Sequence, residues 1–244
     1  GATFGENTVV ADNFLHETAN SVDITTAIGS LQNSTTLDYS GFAKAVFNTT
    51  GEANESSKVI NFENLAAAAQ LDVDSGGGSN TANVGQLVTT QVGASGENSL
   101  IVNIAGSNAT TADRLTVNDA ALVVLNGSGS TSRDAEVTSL VDATNTLNTL
   151  KVEDTASAMN IGGIDSTALT AIDASALNTT GGDLTLGSQN DRIAQDDLSI
   201  TVGDAAGNSL FTSGADNTIE VGDGGNNVID ANGGSNTIEV GDGD

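Results

Sequence analysis

The sequence predicts an all-β fold, a parallel β-solenoid, and three observations carry that prediction. Short aliphatic and β-branched clusters recur along the chain, at residues 100–104, 115–117, 147–152 and 184–186, each bounded by Asn, Gly, Ser or Asp. The last 45 residues repeat themselves with a period of 19. The chain has 29 Gly and no Pro, as expected where every interior coil must donate its backbone N–H groups to a neighbour. Helical periodicity is confined to one stretch, 64–71, where a run of four Ala predicts a helical turn.

The repeat is the strongest of these signals. Ile200, Ile219 and Ile238 fall at 19-residue steps, as do Val202, Val221 and Val240, Gly203, Gly222 and Gly241, and Asp204, Asp223 and Asp242. The other half of the unit follows the same step: Asn208 with Asn227, Leu210 with Ile229, Gly214 with Gly233, and Asn217 with Asn236. One coil therefore reads as strand, Gly/Asn/Asp turn, strand and turn. So short a unit cannot bury its few aliphatic residues alone; stacked coils can, because each hydrogen-bonds the coils above and below while Ile, Val and Leu form a thin continuous core. Gly and Asn suit the corners, where the backbone takes positive φ or approaches another coil closely. The paired Asn residues predict amide ladders along the stack.

Composition excludes much else. Of 244 residues, 32 are acidic and 6 basic, for a net charge of −26. That charge opposes DNA, RNA and anionic membrane surfaces as partners. No apolar run approaches the roughly 20 residues that span a bilayer, so membrane insertion is not expected. The first five residues, Gly-Ala-Thr-Phe-Gly, do not read as a signal peptide. With no Cys there is no disulfide, thiolate metal site or Cys nucleophile. His16 is the single histidine and reads as a surface or cap residue. The acidic pairs Glu153-Asp154 and Asp196-Asp197 read as solvated turns. Lys44, Lys58, Arg114, Arg133, Lys151 and Arg192 are scattered and read as lone ion-pair partners on an acidic surface. No Lys-Ser/Thr follows the Gly-rich segments, which are therefore poor phosphate cradles. The expectation is a protein that is not an enzyme.

Stacking carries an electrostatic consequence. Residues one coil apart lie about 4.8 Å from each other, so Asp204, Asp223 and Asp242 would form a carboxylate column. Each neighbouring pair would repel by roughly 1 kcal/mol in water and about 3–4 kcal/mol at a protein surface. Asp216, Asp230 and Asp244 add to the field, with Arg192 alone nearby to oppose it. Either the side chains splay into solvent or a hard cation with oxygen ligands, Ca2+, sits between coils. The candidate ligands are Asp191, Asp204, Asp216, Asp223, Asp230 and Asp242.

The segments 222–229 and 187–193 resemble the Gly/Asp-rich nonapeptide of RTX proteins, a Ca2+-binding parallel β-roll. In this resemblance the ligand Asp of the motif falls on Asp191 in the earlier copy and on Asn217, Asn227 and Asn236 in the later ones. The segments 59–65 and 169–177, with the Thr/Ala/Asn/Gly-rich acidic composition, are similar to RTX-type bacterial surface-layer proteins. That resemblance implies a Ca2+-dependent protein exported through a type I system. It also implies an extracellular or cell-surface location, and self-assembly into a surface layer, sheath or fibre. On this view folding and assembly follow Ca2+ binding outside the cell. The partner is another copy of the chain, with cell-surface polysaccharide a further candidate. The alternative is a Ca2+-dependent adhesin stalk or ligand-binding module.

Three regions are expected. Residues 1–58 read as an N-terminal cap or an irregular β region with wider coils, since five of the six Phe and the single Tyr lie before residue 63. Residues 59–190 read as irregular solenoid coils with protruding loops, clearest at 75–80 and 126–132, and 191–244 as the regular roll. The last coil matches the internal ones, and the expectation is a portion of a longer protein or a stack continued by a neighbouring copy.

Overall fold

The computed structural model describes residues 9–10, 21–26, 33–39, 44–49, 57–75, 82–93, 97–106, 109–129, 134–153, 158–178, 180, 182–195, 197–214 and 216–243. Among them are 22 strands and no helix. In chain order they are β1 (Val9–Val10), β2 (Ser21–Thr26), β3 (Ser34–Asp38), β4 (Lys44–Thr49), β5 (Val59–Leu65), β6 (Ala68–Ser75), β7 (Ala82–Asn83), β8 (Gln86–Gln91), β9 (Asn98–Gly106), β10 (Thr110–Ala112) and β11 (Arg114–Asn118). There follow β12 (Ala120–Gly129), β13 (Ala135–Asp142), β14 (Thr149–Glu153), β15 (Met159–Asp165), β16 (Ala171–Ala174), β17 (Leu184–Leu186), β18 (Ser199–Val202), β19 (Ser209–Ser213), β20 (Thr218–Val221), β21 (Val228–Asn232) and β22 (Thr237–Val240).

The strands alternate between two parallel sheets wound as a β-solenoid. One sheet runs β1-β3-β5-β8-β11-β13-β15-β17-β19-β21, with β7 and β10 beside it, and the other β2-β4-β6-β9-β12-β14-β16-β18-β20-β22. Like residues stack. In the second sheet the inward column is Ala69, Leu100, Val123, Leu150, Ile172, Ile200, Ile219 and Ile238. In the first it is Val137, Ile161, Leu186, Leu210 and Ile229. As far as Ile219 and Leu210, with Ile229 packed against them, these columns form one continuous core, and the ladder crosses residues 58 and 190 without a break, through β3–β5 and β17–β19.

Coil length varies along the chain and becomes regular only in the last coils. Asn103 meets Asp72 across a 31-residue coil, whereas Asp223 meets Asp204 across 19. In the middle coils one strand serves two ladders: Ala135–Val137 of β13 pair with β10, and Leu140–Asp142 with β11. Near the N-terminal side the coil is filled by rings: Phe62 lies 5.9 Å from Tyr39 and 5.7 Å from Phe47, centroid to centroid, and all three are fully buried. Phe4, Phe14 and Phe42 lie outside the described residues.

Two local expectations are corrected. The stretch 64–71 is not helical: it is the end of β5, where Asn64 has φ 57° beside a shift in register, a corner at Ala66 and Ala67, and the start of β6. The Ala run straddles that corner, and its carbonyls serve the ladder, Ala67 accepting from Ser99 N and Leu65 from Val92 N. Partners supplied by the neighbouring coil outweigh the helix preference of Ala. The loop expected at 126–132 begins later, since Asn126 to Gly129 extend β12 in register with β9; residues 130–132 lie outside the described set. In the loop expected at 75–80, Ser75 is the last residue of β6 and the rest lies outside the described residues.

Truncating a side chain in a stacked column leaves a cavity that two flat sheets cannot close. Leu150, fully buried between Val123 and Ile172, should cost about 2–5 kcal/mol when changed to Ala, read as the shift in a urea unfolding midpoint.

Candidate functional site

The acidic residues of the C-terminal coils lie at two corners and on one outer strand face. The first corner follows β18, β20 and β22 and carries Asp204, Asp223 and Asp242, stacked because Val202, Val221 and Val240 are in register. The column expected from the repeat is present, its residues are exposed, and two of its carboxylates bond to the neighbouring coil. Asp223 N donates to Asp204 Oδ1 at 3.0 Å, and Asp242 N to Asp223 Oδ1 at 3.0 Å. The Asp204 and Asp223 carboxylates thus lean along the stack and each accepts the amide of the next coil, an interaction stronger than a neutral hydrogen bond. The glycine before each Asp makes this possible: a Cβ at Gly222 would overlap Asp204 Oδ1, and one at Gly241 would overlap Asp223 Oδ1.

Asn residues close the same corner from inside. Asn208 Nδ2 donates to Ala205 O at 2.5 Å and to Asn227 Oδ1 at 2.9 Å, while Asn227 Nδ2 donates to Gly224 O. The Asn208 Oδ1 accepts from Leu184 N at 2.9 Å, and Asn227 Oδ1 also accepts from Asn208 N at 3.0 Å. The second corner repeats the device. Asn217 Oδ1 accepts Leu198 N and Asn236 Oδ1 accepts Asn217 N, both at 3.1 Å, and Asp216 Oδ1 accepts Ser235 N at 2.6 Å. The expected ladders are therefore as much side chain to backbone as amide to amide.

The remaining candidates are separate. Asp230, on β21, is paired with Arg192 at 2.5 Å. The hydrogen bond from Arg192 holds its carboxyl below the usual carboxylate range, and the same bond raises the guanidinium. Asp191 is exposed; its backbone N donates to Ser188 Oγ at 3.0 Å, and its carboxylate lies over Gly163. Among the described residues, no three His, Cys, Asp or Glu side chains gather where they could hold a metal ion. Of the six candidates, Asp204, Asp216 and Asp223 each give one oxygen to an amide of the following coil, and Asp230 is paired with Arg192. His16, Asp154, Asp196 and Asp244 lie outside the described residues.

Two groups escape sequence reasoning. Asp142 is 4 % exposed, with Oδ2 accepting Leu147 N and Ser166 Oγ, both at 2.9 Å; nothing in its sequence neighbourhood marks a strand-end Asp that turns inward to close a corner. Arg192 is more than a lone ion-pair partner, since its Nη1 also donates to Thr212 O and Asp230 O, in two successive coils. Its position just before the β-branched Ile193 was the available signal.

Two outcomes follow. Asn227→Ala, which leaves Asn208 N and Gly224 O without that partner, should lower stability by about 1–3 kcal/mol in chemical unfolding. Because the Asp230 pKa is lowered in the folded chain, its contribution is present above the unfolded carboxylate pKa of about 4 and is lost as pH falls through the folded value. Asp230→Asn should therefore melt below the parent at pH 7, with the gap closing in strong acid; an unchanged gap there would contradict the pairing. No family model matches the chain, and neither a curated protein nor a solved structure matches it, so the stacked geometry itself is the basis for a functional reading.

Proposed function

We propose that this chain is a non-enzymatic structural protein of the bacterial exterior that assembles with copies of itself into a surface layer, sheath or fibre. One observation carries the reading: the two faces of a C-terminal coil are interchangeable. Ser199, Thr218 and Thr237, and likewise Ile200, Ile219 and Ile238, repeat in one register, so an added coil makes the same contacts as the coil before it. Stacking of two copies in this register would make a head-to-tail contact, which propagates into a filament or lattice rather than closing.

In this proposal the net charge of −26 disfavours sideways clumping. Ca2+ enters only as a screening counter-ion for the solvent-facing oxygens of Asp204, Asp223 and Asp242, and no folding step is assigned to it. Secretion by a type I route and contact with cell-surface polysaccharide remain part of the proposal through the resemblance to surface-layer proteins.

Electron microscopy of the purified chain tests this. Ordered arrays or filaments are expected in millimolar Ca2+. Dispersed rods under every condition would contradict assembly and favour a stalk.

A further inference from the structure

We propose that Arg192 is a built-in cation that does for the C-terminal coils what a bridging metal ion does elsewhere, so that these coils cohere without Ca2+. The inference concerns folding and is independent of whether the chain assembles. Its basis is the set of oxygens around the guanidinium. Nη1 donates to Thr212 O at 3.3 Å and to Asp230 O at 2.9 Å, and Nη2 to Asp230 Oδ2 at 2.5 Å. Two backbone carbonyls and a carboxylate are the ligand chemistry that a hard divalent ion takes. Here a fixed positive charge occupies them, reaching 20 residues along the chain to one coil and 38 to the next.

The site is built around that group. The guanidinium carbon lies 5.9 Å from the centre of the Phe211 ring, a distance at which the ring face attracts a cation. Ile193, the next residue, bridges to Thr212 in parallel β pairing, which fixes the start of the side chain against the strand it braces. A planar fork that donates in several directions suits this task, and a lysine ammonium would not reproduce it.

The other places where an ion would join coils are also filled. Asn227 and Asn236 stand at the motif positions that elsewhere carry Asp, and each closes its own turn and accepts an amide from the preceding coil. The corner carboxylates Asp204 and Asp223 accept amides from the following coil. Among the described residues from Arg192 to Asp242, then, a guanidinium, carboxamides and backbone N–H groups join one coil to the next.

Hydrogen exchange measured by mass spectrometry on the full chain, in millimolar Ca2+ and in chelator at matched ionic strength, tests the proposal. Peptides covering 209–232 should be protected equally in the two buffers, within about twofold. Loss of protection on chelation alone would overturn it. Arg192→Gln, measured in chelator, should speed exchange in these peptides by about tenfold or more, with Arg192→Lys intermediate. Parent-like protection in Arg192→Gln would show that the guanidinium braces nothing.

Discussion

Backbone hydrogen bonding between successive coils is the constraint from which the rest of this structure follows. A parallel ladder that runs through the whole described chain forces each side chain to lie over its counterpart in the neighbouring coil, about 4.8 Å away. Apolar residues benefit, since Leu100, Val123, Leu150, Ile172, Ile200 and Ile219 bury one another in a single file. Charged residues do not, and the chain meets that difficulty with particular chemistry at each corner.

The solution at Asp204 and Asp223 shows how closely sequence and stacking are coupled. A carboxylate directly below another is repelled by it, but a carboxylate turned along the stack meets the N–H of the next corner, and that is where these side chains point. The turn is sterically open because glycine precedes each of the next two Asp residues, at 222 and 241. Gly-Asp in this chain is thus a two-coil motif. Where an outer face would place a carboxylate without such a donor, Asp230 is instead met by Arg192. Asp72, on the outer face of the second sheet, is handled likewise: burial raises its pKa, but hydrogen bonds from Lys44, Gln70 and Asn103 leave it lowered overall.

Much of the architecture was legible in the sequence, for physical reasons that can be stated. The Ile, Val, Gly and Asp repeats at 19-residue steps encode the register of β18, β20 and β22 directly, because in a solenoid the repeat length is the coil length. Earlier coils vary in length, so the column from Ala69 through Leu100 to Val123 has no fixed period to read. The Ala run at 66–69 misled because local helix preference is visible in sequence, whereas the amides of Val92 and Ser99 that capture its neighbouring carbonyls come from the next coil. The stacking of Asp204 over Asp223 follows from the 19-residue step, whereas the hydrogen bond between them is not legible, since nothing local to Asp204 reveals that Gly222 will lie beside it.

Like-over-like stacking is the central claim, and the absence of Cys from the chain allows it to be measured with spin labels at introduced cysteines. Thr201 and Glu220 are register partners on the outer face, and Glu239 follows Glu220 in the next coil. Electron paramagnetic resonance of a Thr201→Cys, Glu220→Cys pair should show strong spin–spin broadening for a backbone separation of about 4.8 Å. A Thr201→Cys, Glu239→Cys pair, two coils apart, should show clearly weaker coupling. Spectra of both pairs indistinguishable from singly labelled chains would contradict the stack.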